Sequence, residues 1–294
     1  MFLLRNYADT HHHESRRVKG IACDERGSRV DAAMETRSGG PRSPLRVMMI
    51  LEVLAEHRTG ITLTTLSQVI GLPKTSLLSL LRVMESSGYV AVKDLRYYLG
   101  PFGYRLGALI SSTFEAVNVF QSTLRDLSGK TQETVMLGFL DRYSKMCSYL
   151  EIVQPDVPVR YVPSIGARRP LYCTAAGRAF LFFSGDRYLD DYLATVTLTR
   201  HSPNTVTSKS ELRALAKAAL KVGYAVNMGE TNTTTGAVSA PIYDKAMTIE
   251  YCVIVAGPLD RIHQRLKHIA NATLAAGRDM SGKLGYSGAY PVPG

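Results

Sequence analysis

The sequence predicts an α+β protein: an N-terminal winged helix-turn-helix, a helical linker and a C-terminal domain built on one sheet. Three observations predict it. Three short segments with apolar residues at helical spacing precede two β-prone runs around a charged turn. Beyond residue 118 the pattern changes to strands, then helices, then strands and a last long helix, the order of an α+β domain. The length, 294 residues, is room for about two domains that each bury a core.

Residues 1–42 mix Arg, Asp, Glu, Ser and Gly without apolar periodicity and end in Ser38-Gly39-Gly40-Pro41, which reads as a flexible tail. His11-His12-His13 within it reads as a solvated tract, not a metal site. Ser43 suits an N-cap and Pro44 a first helical position, and Val47, Ile50, Leu51 and Leu54 then mark one buried helix face that closes at Gly60. Thr62 caps a second helix, Leu63 to Ile70, with Leu66, Val69 and Ile70 inward. Gly71-Leu72 breaks it, Pro73 opens a third helix with Leu77, Leu80, Leu81 and Met84 inward, and Gly88 ends that one. Tyr89 to Val92 and Tyr97 to Leu99 flank Lys93-Asp94-Leu95-Arg96 as a hairpin, completing a winged domain over residues 43–100.

Residues 101–118 form the linker, helical from Gly103 to about Asn118. The second domain covers 119–286 and a short tail covers 287–294. Expected strands are Thr134 to Leu140, Met146 to Val153, Val159 to Val162, Tyr224 to Val226, Ala237 to Ile242 and Ile249 to Val255. Expected helices are Thr174 to Phe183, one opened by the capping box Ser208/Glu211 and stopped near Gly223, and a long one with Ile262, Leu266, Ile269, Thr273 and Leu274 inward.

Lys and Arg number 35 against 25 Asp and Glu, a net charge of +10 that favours an anionic partner. No apolar run reaches the roughly 18 residues of a membrane span, and Met1 to Arg5 is too short for a secretory signal, so a cytoplasmic chain with no membrane partner is expected. Cys23, Cys147, Cys173 and Cys252 lack paired ligand spacing and read as reduced thiols, with no metal and no cofactor.

In a helix-turn-helix the second helix enters the major groove. Here that helix leaves Lys74, Thr75, Ser76, Ser79 and Arg82 on its outer side, where amines and hydroxyls bond to phosphates or base edges. Lys93 and Arg96 on the wing would lie near the adjacent backbone. Singly, such residues are ordinary solvated surface; the order of three helices and a basic hairpin points to double-stranded DNA.

The stretch from Ser43-Pro44-Leu45-Arg46 to Leu99-Gly100, with Gly71-Leu72-Pro73-Lys74-Thr75-Ser76 and Gly88-Tyr89-Val90 inside it, resembles the N-terminal domain of IclR-type transcriptional regulators. Gly166 to Leu171, Thr174-Ala175-Ala176-Gly177-Arg178-Ala179, Gly223-Tyr224-Ala225, Glu230, Ser239-Ala240-Pro241-Ile242 and Gly257-Pro258 look like that family's effector-domain signature. The resemblance covers residues 43–286. It implies a GAF-like effector domain, an antiparallel sheet flanked by helices, that binds a small organic acid and modulates operator affinity. A homodimer or a dimer of dimers on a pseudo-palindromic operator is expected, because symmetric protein meets symmetric half-sites. Two features depart from the family: Leu78-Ser79 stands where it carries an Arg in mid-helix, and the wing turn is shorter. An Arg grips guanine or phosphate bidentately, and Ser does not.

Thr174 suits an N-cap, and Ala175-Ala176-Gly177 leaves the first helical turn bare, so its unpaired N–H groups and dipole suit a carboxylate; the competing reading is that small residues let the helix approach the sheet. By the resemblance, the effector pocket takes Tyr161, Ala175, Ala176, Asn227, Ala237, Ile254 and Ala256; Ala237, Ile254 and Ala256 are apolar and Asn227 keeps one polar group, which suits a larger or aromatic acid. Arg168 and Arg169 either hold a second anionic group or form a structural ion pair, the second being preferred. Glu230 either orders the pocket loop or is solvated. The rival classes are an enzyme using Cys173 as nucleophile and a ligand-binding adaptor that ignores DNA. No His and acid can be assigned to Cys173, and Gly-rich phosphate loops, HExxH and Gly-x-Ser-x-Gly are absent, so no catalytic residue and no enzyme are expected.

Overall fold

The computed structural model describes residues 43–112 and 115–290, and these fall into two compact units that divide between 114 and 115. The readings made for residues 1–42, for the middle of the linker and for 291–294 lie outside the described residues.

The first unit runs α1 (Ser43–Glu56), β1 (Ile61–Thr62), α2 (Leu63–Ile70), α3 (Lys74–Ser86), β2 (Val90–Lys93), β3 (Arg96–Leu99) and α4 (Pro101–Ser112). Thr62 caps α2 as its residue type predicts, accepting from the Thr65 amide at 3.2 Å. Gly71 ends α2 at φ +72°, a conformation a β-carbon disfavours, and releases the chain into α3. The apolar stripes meet in one core of Ile50, Val53, Leu54, Leu66, Ile70, Leu77, Leu81, Met84 and Val90. The hairpin registers Lys93 opposite Arg96. Its two turn residues, Asp94 and Leu95, both have positive φ (+51° and +58°), the type I′ pattern that matches strand twist. Ile61–Thr62, too short to show a period, adds a third antiparallel strand by pairing with Tyr97 and Arg96.

The second unit runs α5 (Glu115–Thr131), β4 (Thr134–Asp141), β5 (Met146–Val153), β6 (Arg168–Pro170), α6 (Ala175–Phe183), α7 (Asp186–Thr195), α8 (Lys209–Val222), β7 (Ala225–Met228), β8 (Thr235–Tyr243), β9 (Ile249–Pro258), α9 (Leu259–Gln264) and α10 (Leu266–Lys283). Its sheet is antiparallel throughout, in the order β6-β5-β4-β9-β8-β7. Alternation along each strand sends side chains to two cores. On β9, Ile254 and Ala256 join the core beneath α6 and α8, whereas Val253 and Val255 join the core shared with α5 and α10.

Four expectations are corrected. The helix expected to fade near Asn118 gives way to α5, which continues to Thr131 because Phe120, Leu124 and Leu127 recur at helical spacing and are buried against the α10 side of the sheet. Val159 to Val162 is loop, not strand: Pro158 and Pro163 bracket it, and Val159 and Val162 point into solvent. The pairing at that edge is made instead by β6, whose Arg168–Pro170 sequence carries no strand pattern. The last long helix is broken at Arg265 into α9 and α10. The stretch taken as a tail from 287 is anchored as far as Tyr290, which is buried and donates to the Pro241 carbonyl at 2.7 Å. No helix among the described residues is long and apolar enough to cross a membrane.

Candidate functional site

In the first unit, burying Leu77, Leu81 and Met84 turns the rest of α3 outward. Lys74, Thr75, Ser76, Ser79 and Arg82 are all exposed on it, and Lys93 and Arg96 are exposed on the wing. No carboxylate among the described residues pairs with Lys74, Arg82, Lys93 or Arg96. Arg96 differs from the others in having part of its guanidinium committed: Nη1 donates to the Gly60 carbonyl at 3.1 Å, tying β3 to the loop before β1. Gly60 itself sits at φ +78°, and a β-carbon there would lie 2.4 Å from the Tyr98 ring.

In the second unit, all seven residues assigned to a pocket line one cavity, part of it open to solvent. Tyr161 comes from the loop after β5, Ala175 and Ala176 from the first turn of α6, Asn227 from β7, Ala237 from β8, and Ile254 and Ala256 from β9. The wall is completed by Met136, Tyr149, Arg169, Thr174, Thr231 and Thr235, which sequence reasoning left out of the pocket. Met136 and Tyr149 had a findable signal, since they share the strand face of residues already expected inside. Thr231 and Thr235 had none, because loop and edge positions carry no period, whereas Arg169 is one of the two arginines for which the sequence leaves an anion-holding role open.

The α6 N-terminus is built by a cap and a close approach. Thr174 Oγ1 accepts from the Gly177 amide at 3.0 Å and donates to the Pro170 carbonyl at 2.8 Å. Gly177 lies so close to the preceding loop that a β-carbon would sit 2.2 Å from Leu171 Cα. The packing reading of the small residues therefore holds for Gly177. Ala175 and Ala176 leave their backbone N–H groups at the cavity without a protein acceptor, as first-turn amides are.

Asn227 holds the opposite wall. Its amide donates to the Cys173 carbonyl, and its Oδ1 accepts from the Glu230 amide at 3.2 Å. Most of its polar capacity is thus spent on the fold. Glu230 is buried, not solvated. It receives Arg178 bidentately, Nη2 to Oε2 at 2.6 Å, and the Val206 amide at 3.2 Å. Arg178 also donates to the carbonyls of Tyr172 and Val226, so one ion pair fastens α6 to β7 and to the loop carrying Thr231. Burial pushes the Glu230 carboxyl above the ordinary range even with Arg178 beside it. A second buried carboxylate, Glu133, pairs with Arg261 across α9 and the start of β4.

The two arginines of the Gly166 loop part company. Arg168 forms the expected ion pair, with Asp141 at 3.5 Å. Arg169 has no carboxylate partner; its guanidinium lies 5.8 Å from the Tyr149 ring centre, donates to the Arg168 carbonyl at 3.0 Å and hydrogen-bonds with the Tyr161 and Tyr149 side chains. Burial works against its charge, but the phenols of Tyr161 and Tyr149 raise its pKa further. Cys173 is fully buried, and burial pushes its thiol up to about 12, so the nucleophile reading fails on the thiolate it requires. No group of three or more metal-ligating side chains is assembled among the described residues.

Residues 43–94 match the IclR helix-turn-helix domain, and residues 110–282 match the family described as bacterial transcriptional regulator IclR C-terminal. Among characterised proteins, the chain is 28% identical to the HTH-type transcriptional regulator KdgR of Dickeya chrysanthemi over 87% of this chain and 84% of the relative. It is 25% identical to the transcriptional repressor IclR of Escherichia coli over 90% of this chain and 97% of that protein. Among solved structures, an IclR homolog from Microbacterium hydrocarbonoxydans complexed with 4-hydroxybenzoate shares the fold, with TM-score 0.71 at 20% identity over 83% of this chain and 100% of that one. These relatives are transcriptional regulators and not enzymes. With a helix-turn-helix unit and an effector-binding unit both matched, and with more than half of its length inside the second, the chain belongs to the IclR family of DNA-binding transcriptional regulators.

Proposed function

We propose that a small organic acid bound in the second unit's cavity sets how firmly the first unit holds its operator. The observation that carries this reading is the chemistry of the cavity wall. Among its described residues there is no Asp or Glu, there are two backbone amides without acceptors, and there is one cation without a counter-ion. Such a site is complementary to an anion. Tyr149, Tyr161, Met136, Ile254 and the alanines supply apolar walls that suit an aromatic or larger aliphatic acid. A structure of the same fold was obtained with an aromatic acid, 4-hydroxybenzoate, which supports that class.

On the operator, Lys74, Thr75, Ser76, Ser79 and Arg82 enter the major groove while Lys93 and Arg96 meet the flanking backbone. The spans 43–100, 101–118 and 119–286 act as reader, connector and sensor, and two copies bind two half-sites. An acid shifts this equilibrium only through unequal affinity for the holding and releasing states, and DNA must then change acid affinity by the same factor.

Thermal denaturation of the full chain against a panel of aliphatic and aromatic carboxylates tests the sensor, since a ligand of the native state raises its melting temperature. A hit is expected to move the midpoint of operator binding in a gel shift. A panel with no hit, or a hit that leaves operator affinity unchanged, overturns the proposal.

A further inference from the structure

Several arginines of the second unit have carboxylate partners. Arg178 is neutralised by Glu230, Arg261 by Glu133, Arg168 by Asp141 and Arg213 by Asp190. Arg169 has no such partner, and it is the only charged side chain among the described residues of the cavity wall. Its position is not left to chance. β6 pairs Arg169 opposite Cys147 on β5, and the Tyr149 ring lies beside its guanidinium. Its guanidinium is held by the Arg168 carbonyl and by the side chains of Tyr161 and Tyr149, all neutral partners. Neutral partners orient a guanidinium without cancelling its charge, so that charge is left for an anion in the cavity.

Resting on the reading of the cavity as an acid site, we infer that its ligand carries two acidic groups. One carboxylate meets the free amides of Ala175 and Ala176; the other meets the uncompensated charge of Arg169. The ligand class is therefore a dicarboxylic acid, with an apolar spacer lying against Met136 and Ile254. This also accounts for an uncompensated, half-buried cation: it is completed by cargo instead of by the fold. The competing account makes Arg169 a stacking partner for Tyr149 and nothing more.

The test compares matched acids on the full chain by calorimetry and thermal shift: succinate with butyrate, and terephthalate with benzoate. In the wild-type chain each dicarboxylate is expected to bind about tenfold tighter than its monocarboxylate partner, the ratio one charge-assisted hydrogen-bonded pair supplies. In Arg169→Gln that ratio should collapse to near one, and in Arg169→Lys, which keeps the charge but loses the fork, it should fall between. Equal binding of both acids by the wild-type chain overturns the inference while leaving the acid site standing, as does a ratio that survives in Arg169→Gln. Should Arg169→Gln fail to fold, the wild-type ratio and the Lys variant still decide. Failure of every acid to bind overturns the acid site itself, and this inference with it.

Discussion

The two units handle charge in opposite ways. On α3 and the wing, the cations Lys74, Arg82 and Lys93 are exposed and form no ion pair among the described residues. In the second unit, Arg178 and Glu230 are sealed together, their side chains only 3% and 4% exposed. Exposed charges contribute little to holding a fold but govern association, and salt screens them. Buried pairs are screened far less, and breaking one leaves a stranded charge. The difference teaches where each unit keeps its function: the first on its surface, the second in a shape that internal ion pairs maintain.

Breaking the buried side of this comparison should have the largest effect. Glu230→Ala strands Arg178 and unfastens α6 from β7, and urea titration should show a loss of about 3–5 kcal/mol. A loss under about 1 kcal/mol would mean that water reaches Arg178. Next comes Gly177→Ala, whose added methyl collides with the Leu171 backbone at the cavity's edge. It should cost about 1–3 kcal/mol and abolish any acid-induced rise in melting temperature. A full-sized rise in that variant would detach the α6 terminus from binding.

The surface side responds differently. Lys74→Ala should leave stability within about 0.5 kcal/mol of wild type, yet lower the slope of log affinity against log salt by about 1. An unchanged slope would remove Lys74 from the phosphate footprint. The smallest effect is expected at the wing tip, where Leu95 is 87% exposed at φ +58°. Asn tolerates that left-handed conformation better than Leu, so Leu95→Asn should raise stability by roughly 0.5–1 kcal/mol. Destabilisation would show that the leucine side chain is held by a contact of its own.

What could be read from the residues beforehand was local. Thr62 and Ser208 announce their caps because a side-chain oxygen reaches an amide three residues on, within one turn. Leu77, Leu81 and Met84 announce the inward face of α3, and with it the outward one. The pocket's strand residues also came from local order, once a family likeness had placed them. What was missed depends on partners distant in the chain. Arg178 and Glu230 are 52 residues apart and Glu133 and Arg261 128 apart, and nothing in either neighbourhood names the other. β6 exists only because an edge of β5 is there to pair with, and Val159 to Val162 has strand-forming residues but no such edge. The unpaired state of Arg169 is likewise a property of surroundings, invisible beside its paired neighbour Arg168.

The alternation along β9 has an evolutionary corollary. Ile254 and Ala256 look into the cavity, whereas Val253 and Val255 belong to the layer that seats α5, the helix nearest in sequence to the DNA-reading unit. Neighbouring codons therefore answer to different pressures: one pair can change with whatever the cavity holds, while the other must keep α5 packed against the sheet. A lineage could change what it senses without relearning how to respond.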